Sequence, residues 1–232
     1  MPEQPARAWR LVLEHVERDL LDGRLGPGDR LASERDLAAD LGVGRSSVRE
    51  ALRVLEVMGL IRTATGSGPQ SGAIVIATPT GGMSTLLRLQ VAAQGFPLTD
   101  VVQTRLLLED AVAAALAGQQ DPDLAAAHSV LDAMDAEGLT SAEFLALAES
   151  SGNTVVAAIM AGLRTSIESY VQQGASSIAD WDAMADLLRA EHRAIIEAIA
   201  AGDAATAQTL VRAHITGYYT AAGLTRSVRP TD

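Results

Sequence analysis

Residues 33–55 read Ser33-Glu-Arg-Asp-Leu-Ala-Ala-Asp-Leu-Gly-Val-Gly-Arg-Ser-Ser-Val-Arg-Glu-Ala-Leu-Arg-Val-Leu55, and this stretch decides the fold of the first part of the chain. The Ser33 hydroxyl can cap a helix that begins there, and Asp36 completes a pair similar to a capping box. Residues 42–44, Gly-Val-Gly, end that helix and form a tight turn into the next one. Two short helices joined in this way predict a helix-turn-helix, whose second helix enters the major groove of DNA.

Arginines recur every four residues along the second of these helices, at Arg45, Arg49 and Arg53. They lie on the face opposite its apolar stripe, which consists of Val48, Ala51, Leu52 and Leu55. Ser46 and Ser47, with the free N–H groups of the helix start, can meet phosphates. The spacing alone suits a solvated charged face equally well, so the DNA interpretation depends on the wider pattern.

The surrounding sequence completes a winged helix over residues 1–78. Apolar residues at helical spacing predict a helix over 6–22. Two short β-like runs, Leu60–Thr65 and Ala73–Ala77, flank the glycine-rich segment 66–72 and predict a hairpin, the wing. The segment Thr78–Gly82 is the best candidate for a linker, and we assign residues 79–97 to a linker and a connecting helix.

Residues 23–60 closely resemble the DNA-binding domain of the GntR family of transcription regulators. The resemblance implies that Arg35, Arg45 and Arg49 contact DNA and that the wing, at Gly66, approaches it as well. The chain departs from the family at Gly44, where a serine or threonine is usual. Glycine is an acceptable N-cap, but a hydroxyl contact to phosphate is lost.

The remaining sequence predicts an all-α, antiparallel helical bundle over 98–232. Helical spacing, interrupted at glycine, proline and aspartate residues, places helices near 83–94, 98–118, 122–137, 141–150, 153–173, 181–201 and 203–223. This part resembles, more loosely, the ligand-binding domain of the FCD subgroup of the same family. The resemblance implies a pocket for a small effector, often an organic acid, and in many members a divalent metal held by an Asp and three His.

The residues do not supply that metal site. His192 and His214 occupy the last two ligand positions of the subgroup, and both lie on stripes that face the bundle interior. The Asp and first His positions fall on Thr140 and Phe144, or on Ser141 and Leu145 in a register shifted by one residue. Two imidazoles alone make a poor site, because zinc takes about four ligands. We therefore predict two core histidines, no metal and no other cofactor.

The same resemblance suggests residues that would bind an effector. Arg105 and Asn153 are candidates, although Arg105 also forms an i,i+4 pair with Glu109 and Asn153 can cap the next helix. The full set of predicted effector-binding residues is Arg105, Phe144, Asn153, His192, His214 and Tyr218.

Composition supports an intracellular regulator. The chain has 232 residues, no cysteine and no apolar run of about 20 residues that would span a bilayer, so we expect a cytoplasmic protein. The net charge is −11, but residues 1–79 carry ten arginines against eleven acids, whereas the rest carries eight against eighteen. The near-neutral first part can therefore still face DNA.

Taken together, the sequence predicts a homodimeric, effector-controlled regulator that binds double-stranded operator DNA, a repressor and not an enzyme. The dimer follows from the two-fold symmetry of operator half-sites. Two alternatives remain open: a helical metal-binding protein or metalloenzyme built on His192 and His214, and an architectural DNA-binding dimer without an effector.

Overall fold

The computed structural model describes residues 5–64, 72–76, 80–93, 95–137 and 142–224. The chain divides into two compact units, Met1–Met83 and Ser84–Asp232. Each unit has its own cluster of buried apolar side chains. The predicted fold class, a winged helix-turn-helix followed by an all-α domain, is confirmed.

The described residues of the first unit form three helices and a two-stranded sheet: α1 (Pro5–Leu21), α2 (Glu34–Leu41), α3 (Arg45–Val57), β1 (Ile61–Ala64) and β2 (Gly72–Val75). Its core forms where α1, α2, α3 and the sheet converge, and the apolar stripe predicted for α3 is buried within it. Val12 and Val16 of α1 are among its most deeply buried side chains.

Both ends of α2 have the predicted local structure, and its C-terminal end leads into the turn before α3. The Ser33 side chain accepts a hydrogen bond from the backbone N–H of Asp36 and caps α2. Gly42 ends α2 with a φ of 65°, in the left-handed region that suits a residue without a Cβ. Helix α2 is therefore held by a hydroxyl at its N-terminus and by a glycine at its C-terminus, where the turn into α3 begins.

The wing is an antiparallel hairpin in which Ile61 pairs with Val75 and Ala64 with Gly72. A third segment joins it: the backbone N–H of Leu31 donates to Ala73, and a single bridge links Arg30 to Ile74. The sequence had indicated only a break near this segment. The predicted loop over 66–72, including Gly66, lies outside the described residues except for Gly72.

In the second part of the chain every described element is a helix, and the bounds agree with the predicted ones to within a few residues. They are α5 (Leu98–Ala117), α6 (Ala125–Glu137), α7 (Ala142–Ser150), α8 (Thr154–Ala175), α9 (Trp181–Ala200) and α10 (Ala204–Ala221), preceded by α4 (Thr80–Ala92). The start of α4 corrects one expectation. Residues 80–82 were predicted to be linker because of Gly81 and Gly82, but they form its first turn, where glycine is tolerated at a modest cost.

Helix α5 is central to the second unit, because it contacts α7, α8, α9 and α10. Helix α4 approaches α8 at Gly162, where an added Cβ would lie 2.6 Å from Leu87 and 3.2 Å from the backbone of Ser84. The central position of α5 brings its polar residues into the interior of the bundle, where they meet side chains from α9 and α10.

Candidate functional site

The exposed face of α3 carries the arginines that the sequence singles out. Arg45, Arg49 and Arg53 are exposed, whereas Val48 and Leu52 on the opposite face are buried. The α3 N-cap, Gly44, makes no side-chain capping bond. The N–H groups of Arg45 and Ser46 at the helix start are thus available to an anion.

Two of the predicted DNA-contacting arginines form ion pairs with acidic neighbours. The Arg49 Nε donates to the Glu34 carboxylate at 2.8 Å, and the Arg35 Nε donates to Asp36 at 3.1 Å. The Arg49 side chain is 58% exposed, so this pair remains open to solvent. Such surface pairs are worth little energetically, and phosphates or bases can compete for the same guanidinium.

The two serines of the helix start differ. Ser46 is exposed, but Ser47 is only 8% exposed and its backbone N–H donates to Gly44. Burial makes the Ser47 hydroxyl a weaker candidate for a phosphate contact than the Ser46 hydroxyl. The remaining predicted DNA contact, Gly66, lies outside the described residues.

The second unit contains a cavity of about 190 Å³ between α5, α8, α9 and α10. Polar groups come from all four helices, with Gln172 from α8, and apolar side chains of α8, α9 and α10 line the rest. We call it the histidine pocket, and its lining includes Arg105, Val171, Leu188, His192, His214, Ile215, Tyr218 and Tyr219. It brings together four of the six predicted effector-binding residues: Arg105, His192, His214 and Tyr218.

A buried cation lies at the polar side of the pocket. The Arg105 Nε donates to Glu109 at 2.8 Å and its Nη1 donates to the Tyr219 hydroxyl at 3.3 Å. Burial acts to lower the pKa of Arg105, but the charges and hydrogen bonds of Glu109 and Tyr219 together outweigh it and raise the pKa. Burial raises the pKa of Tyr219, so its hydroxyl stays protonated at neutral pH. The pocket therefore presents a permanent guanidinium and a neutral phenol.

The two histidines contact each other directly. Their Nε2 atoms lie 3.1 Å apart, and the Nδ1 of His214 is 2.8 Å from the Glu191 carboxylate. Burial, His214 and Arg105 lower the pKa of His192 to about 3, so this imidazole is neutral at physiological pH. Because one Nε2 must donate and the other accept, the two neutral rings cannot both carry their proton on Nε2.

The donor set does not fit the divalent metal that the sequence resemblance implies. A separation of 3.1 Å between the Nε2 atoms would let both reach one ion, but a third ligand is needed. The Phe144 ring packs beside both imidazoles, with its centroid 5.4 Å from each imidazole centroid, and it offers no ligand atom. Within the described ranges, no group of three or more His, Cys, Asp or Glu is arranged to hold a metal ion. Thr140 and Ser141 lie outside those ranges.

Two predicted effector residues lie apart from the cavity. Asn153 caps α8, accepting from the backbone N–H groups of Val155 and Val156, as its alternative structural role predicts. Phe144 contacts the imidazoles from a small neighbouring cleft that it shares with Arg105 and Glu109. Phe144 therefore packs against the two histidines, whereas Asn153 forms the N-terminal cap of α8.

Sequence reasoning missed Tyr219, Glu191, Val171, Leu188 and Ile215. Spacing could have found some of them, because Leu188 lies one helical turn before His192, and Ile215 and Tyr219 follow one stripe of α10. Glu191 is adjacent to His192 in sequence but partners His214 across the helix pair. Val171 carried no signal, since only packing brings α8 to this place.

Comparison with known proteins agrees with this geometry. Residues 10–69 match the bacterial regulatory proteins of the gntR family, and residues 100–217, half of the chain, match the FCD domain. The chain belongs to the GntR family. Like other GntR-family members with an FCD domain, it is a DNA-binding transcription regulator with a C-terminal effector-binding domain. The metal-binding or metalloenzyme alternative is not favoured.

Relatives within the family match either most of the chain or about half of it. The HTH-type transcriptional regulator LutR of Bacillus subtilis is 30% identical over 84% of this chain and 92% of its own length. The Glc operon transcriptional activator of Escherichia coli K12 is 36% identical, but over 47% of this chain and 41% of its own.

A solved structure shares the fold of this GntR-family chain. The GntR protein of Streptococcus agalactiae superposes with a TM-score of 0.54, at 23% identity, over 92% of this chain and 97% of that one. Among the residues that the structure describes, none of the helices combines the length and apolar character that a membrane crossing requires.

Proposed function

We propose that a homodimer of this chain binds operator DNA through Arg35, Arg45 and Arg49, and that a small anionic effector in the histidine pocket changes this binding. The observation that carries the effector part is the buried Arg105, whose guanidinium lines a cavity large enough for a small molecule. A concave, mainly apolar pocket with a few convergent polar groups is the usual form of a small-molecule site.

An anion is the favoured class of effector because of the charges at the pocket. Arg105 is permanently positive, whereas His192 is neutral and the Tyr219 phenol is protonated. These groups donate hydrogen bonds, and a guanidinium pairs well with a carboxylate. No described residue of the pocket lining other than Arg105 carries a full charge independent of pH.

The DNA part is supported by the exposed arginines of α3 and the uncapped helix start. Arginine reads guanine in the major groove through two parallel hydrogen bonds. Arg45 and Arg49 are one helical turn apart on the exposed face, and Arg35 lies near the start of α2. This arrangement matches a helix-turn-helix in which base contacts come from the N-terminal part of the second helix.

The homodimer is supported by exposed apolar side chains in the second unit. Leu86 and Leu89 on α4 and Leu107 on α5 are all more than half exposed. Large apolar side chains that remain at the surface of a folded unit are candidates for an interface between subunits. Two such chains would place two winged helices on a symmetric operator.

The proposal is tested by selecting operators with the full-length protein from random DNA duplexes. Affinity for the selected duplex and for a shuffled duplex is then measured by fluorescence anisotropy across a salt series. We expect one enriched, inversely symmetric motif, bound about 10³-fold or more tightly than the shuffled control. Affinity for both duplexes should fall as salt rises. Equal affinity for the two duplexes, or one chain per operator in sedimentation, would contradict the proposal.

A further inference from the structure

The arginines on the exposed face of α3 differ in how they are held. Arg49 donates from its Nε to the Glu34 carboxylate at 2.8 Å, whereas Arg45 forms no ion pair with a described residue. Glu34 lies 15 positions before Arg49, in the first turn of α2, so the contact joins the two helices of the helix-turn-helix. The Glu34 carboxylate is therefore part of the surface that would face operator DNA.

We propose that Glu34 is a positioning residue, which holds Arg49 for base reading and so raises the selectivity of the protein for its operator over other DNA. This rests on the proposed function, in which Arg49 contacts the operator. Glu34 itself contacts no base. Its carboxylate keeps the Nε of Arg49, and the two terminal nitrogens of the guanidinium read the base.

Both partners of the pair project from anchored helices. Ser33 caps α2 by accepting from the backbone N–H of Asp36, and its hydroxyl donates to the Asp36 carboxylate at 2.6 Å. On α3, Val48 is fully buried next to Arg49. The backbone on both sides is therefore fixed, and the bond to Glu34 restricts the freedom that the Arg49 side chain still has.

The Arg49 guanidinium keeps enough donors for a base after it has bound Glu34. Of its five N–H groups, Glu34 engages the one on Nε, and the four on Nη1 and Nη2 bond to no described residue. Guanine is read by two parallel hydrogen bonds to its O6 and N7 atoms, which the two terminal nitrogens can supply. The Arg49 side chain is 58% exposed, so it remains open to a ligand.

The pair acts by lowering the cost of ordering Arg49. A free arginine side chain loses rotamer freedom when it binds a base, and a side chain that is already held loses less. An exposed ion pair adds little to folding stability, but the attraction between Glu34 and Arg49 strengthens as docked DNA excludes water. The restraint on Arg49 is therefore strongest in the complex with DNA.

The negative charge of Glu34 has the opposite effect on DNA of any other sequence. A carboxylate on a DNA-facing surface repels the phosphate backbone, whatever the bases are. At a sequence without a matching guanine, the positioning of Arg49 brings no gain and the repulsion remains. Glu34 thus weakens binding to all DNA and offsets that loss only at the operator, which widens the ratio of the two affinities.

The proposal is tested on the full-length protein with the selected operator duplex and its shuffled control, at one fixed salt concentration. Glu34→Gln removes the charge but keeps the shape of the side chain. We expect the Kd for the operator to rise roughly tenfold, because part of a bidentate base contact is lost. The Kd for the shuffled duplex should fall about twofold or more, because the repulsion is removed.

A matched control has the same change of charge elsewhere on the first unit. Glu17→Gln replaces an exposed acid of α1 and should leave the ratio of the two affinities unchanged. Thermal unfolding checks that both variants fold. An unchanged ratio in Glu34→Gln, or a change of equal size in Glu17→Gln, would overturn the proposal.

A double-mutant cycle separates positioning from a direct contact. In the Arg49→Ala background, Glu34→Gln should no longer weaken operator binding and should lower the Kd for both duplexes by the same factor. The operator positions at which Glu34→Gln tolerates other bases should be those at which Arg49→Ala does. An equally large loss of operator affinity in the Arg49→Ala background would overturn the proposal, because Glu34 would then contact the DNA itself.

The same measurements separate this proposal from the proposed function. If Arg49→Ala weakens operator binding and Glu34→Gln leaves the ratio of affinities unchanged, only the positioning role of Glu34 fails. If Arg49→Ala leaves operator binding unchanged, the proposed contact of Arg49 with DNA fails, and the positioning role fails with it.

Discussion

The Nε2 atoms of His192 and His214 lie 3.1 Å apart inside the second unit, and a carboxylate, Glu191, contacts only one of the two rings. This asymmetry gives the two imidazoles different roles. His214 is anchored from α9 by the Glu191 carboxylate, whereas His192 is buried next to Arg105 and remains neutral. The pair links α9 to α10 through a hydrogen bond in the interior of the bundle.

The low pKa of His192 makes folding stability depend on pH. An unfolded histidine takes up a proton near pH 6.5, but folded His192 does so only near pH 3. Between these values the unfolded state binds more protons, so the free energy of unfolding should fall on acidification by up to about 1.4 kcal/mol per pH unit. We expect this dependence in denaturant unfolding between pH 7.5 and 5, and a flatter one in His192→Gln. His128→Gln, which alters an exposed ring, is the control. An identical slope in His192→Gln would show that His192 is not the group responsible.

The Arg105–Glu109 pair should be costly to break. Both side chains are almost entirely buried, with 10% and 3% exposed. Glu109→Gln leaves the guanidinium without its counter-charge, and we expect a loss of up to about 3–5 kcal/mol in the free energy of unfolding. Asp186→Asn breaks the exposed pair with Arg189 and should cost less than about 1 kcal/mol. Chemical denaturation of both variants measures the difference, and similar small losses would mean that solvent reaches Arg105 freely.

Replacing two glycines of the second unit by alanine should change the stability of the protein in opposite directions. Gly217 lies in the middle of α10 with open space around it, so Gly217→Ala should stabilise the protein by about 0.5–1 kcal/mol. At Gly174 an added Cβ would lie 2.9 Å from Ala222 and 3.3 Å from the Tyr218 hydroxyl. Gly174→Ala should therefore lower the Tm through crowding. A stabilising Gly174→Ala would show that α8 and α10 can separate at this point.

The first unit should bind DNA weakly when it is isolated. Its core is self-contained, so a fragment ending at Met83 should fold. If dimerisation resides in the second unit, the fragment loses the gain in effective concentration that a linked second half-site provides. Sedimentation should show a monomer, and anisotropy should show much weaker operator binding than the full chain has. A fragment that dimerises and binds as tightly as the full chain would place the dimer interface in the first unit.

Local sequence signals were enough to predict the helix-turn-helix. Ser33 and Gly42 act within a few residues of their own positions, and the arginine spacing follows directly from the helical repeat. The predicted start of α4 was wrong, because Gly81 and Gly82 indicate a break in the sequence, whereas the helix begins at Thr80. The pairing of Leu31 with Ala73 was missed, since it joins segments far apart in sequence that carry little strand pattern.

The pocket was predictable only in part, for the same physical reason. Arg105, His192 and His214 carry chemistry that a sequence reveals, and their helical stripes indicate that they face inward. The contact between Arg105 and Tyr219 spans 114 positions and depends on how α5 meets α10. The pairing of His214 with Glu191 and the position of Phe144 depend in the same way on the packing of whole helices. Resemblance to the family supplied candidates, and tertiary packing decided their partners.

The central claim is that the exposed face of α3 reads operator DNA, and titration of the selected operator with arginine variants tests it most directly. Arg45→Ala and Arg49→Ala are compared with the natural chain at one fixed salt concentration, with Arg18→Ala of α1 as a control of equal charge change. The account predicts that each α3 variant raises the Kd roughly 5- to 150-fold and tolerates more base changes in the operator. Arg18→Ala should stay close to the natural chain. Unchanged affinity in both α3 variants, with folding intact by circular dichroism, would contradict the account.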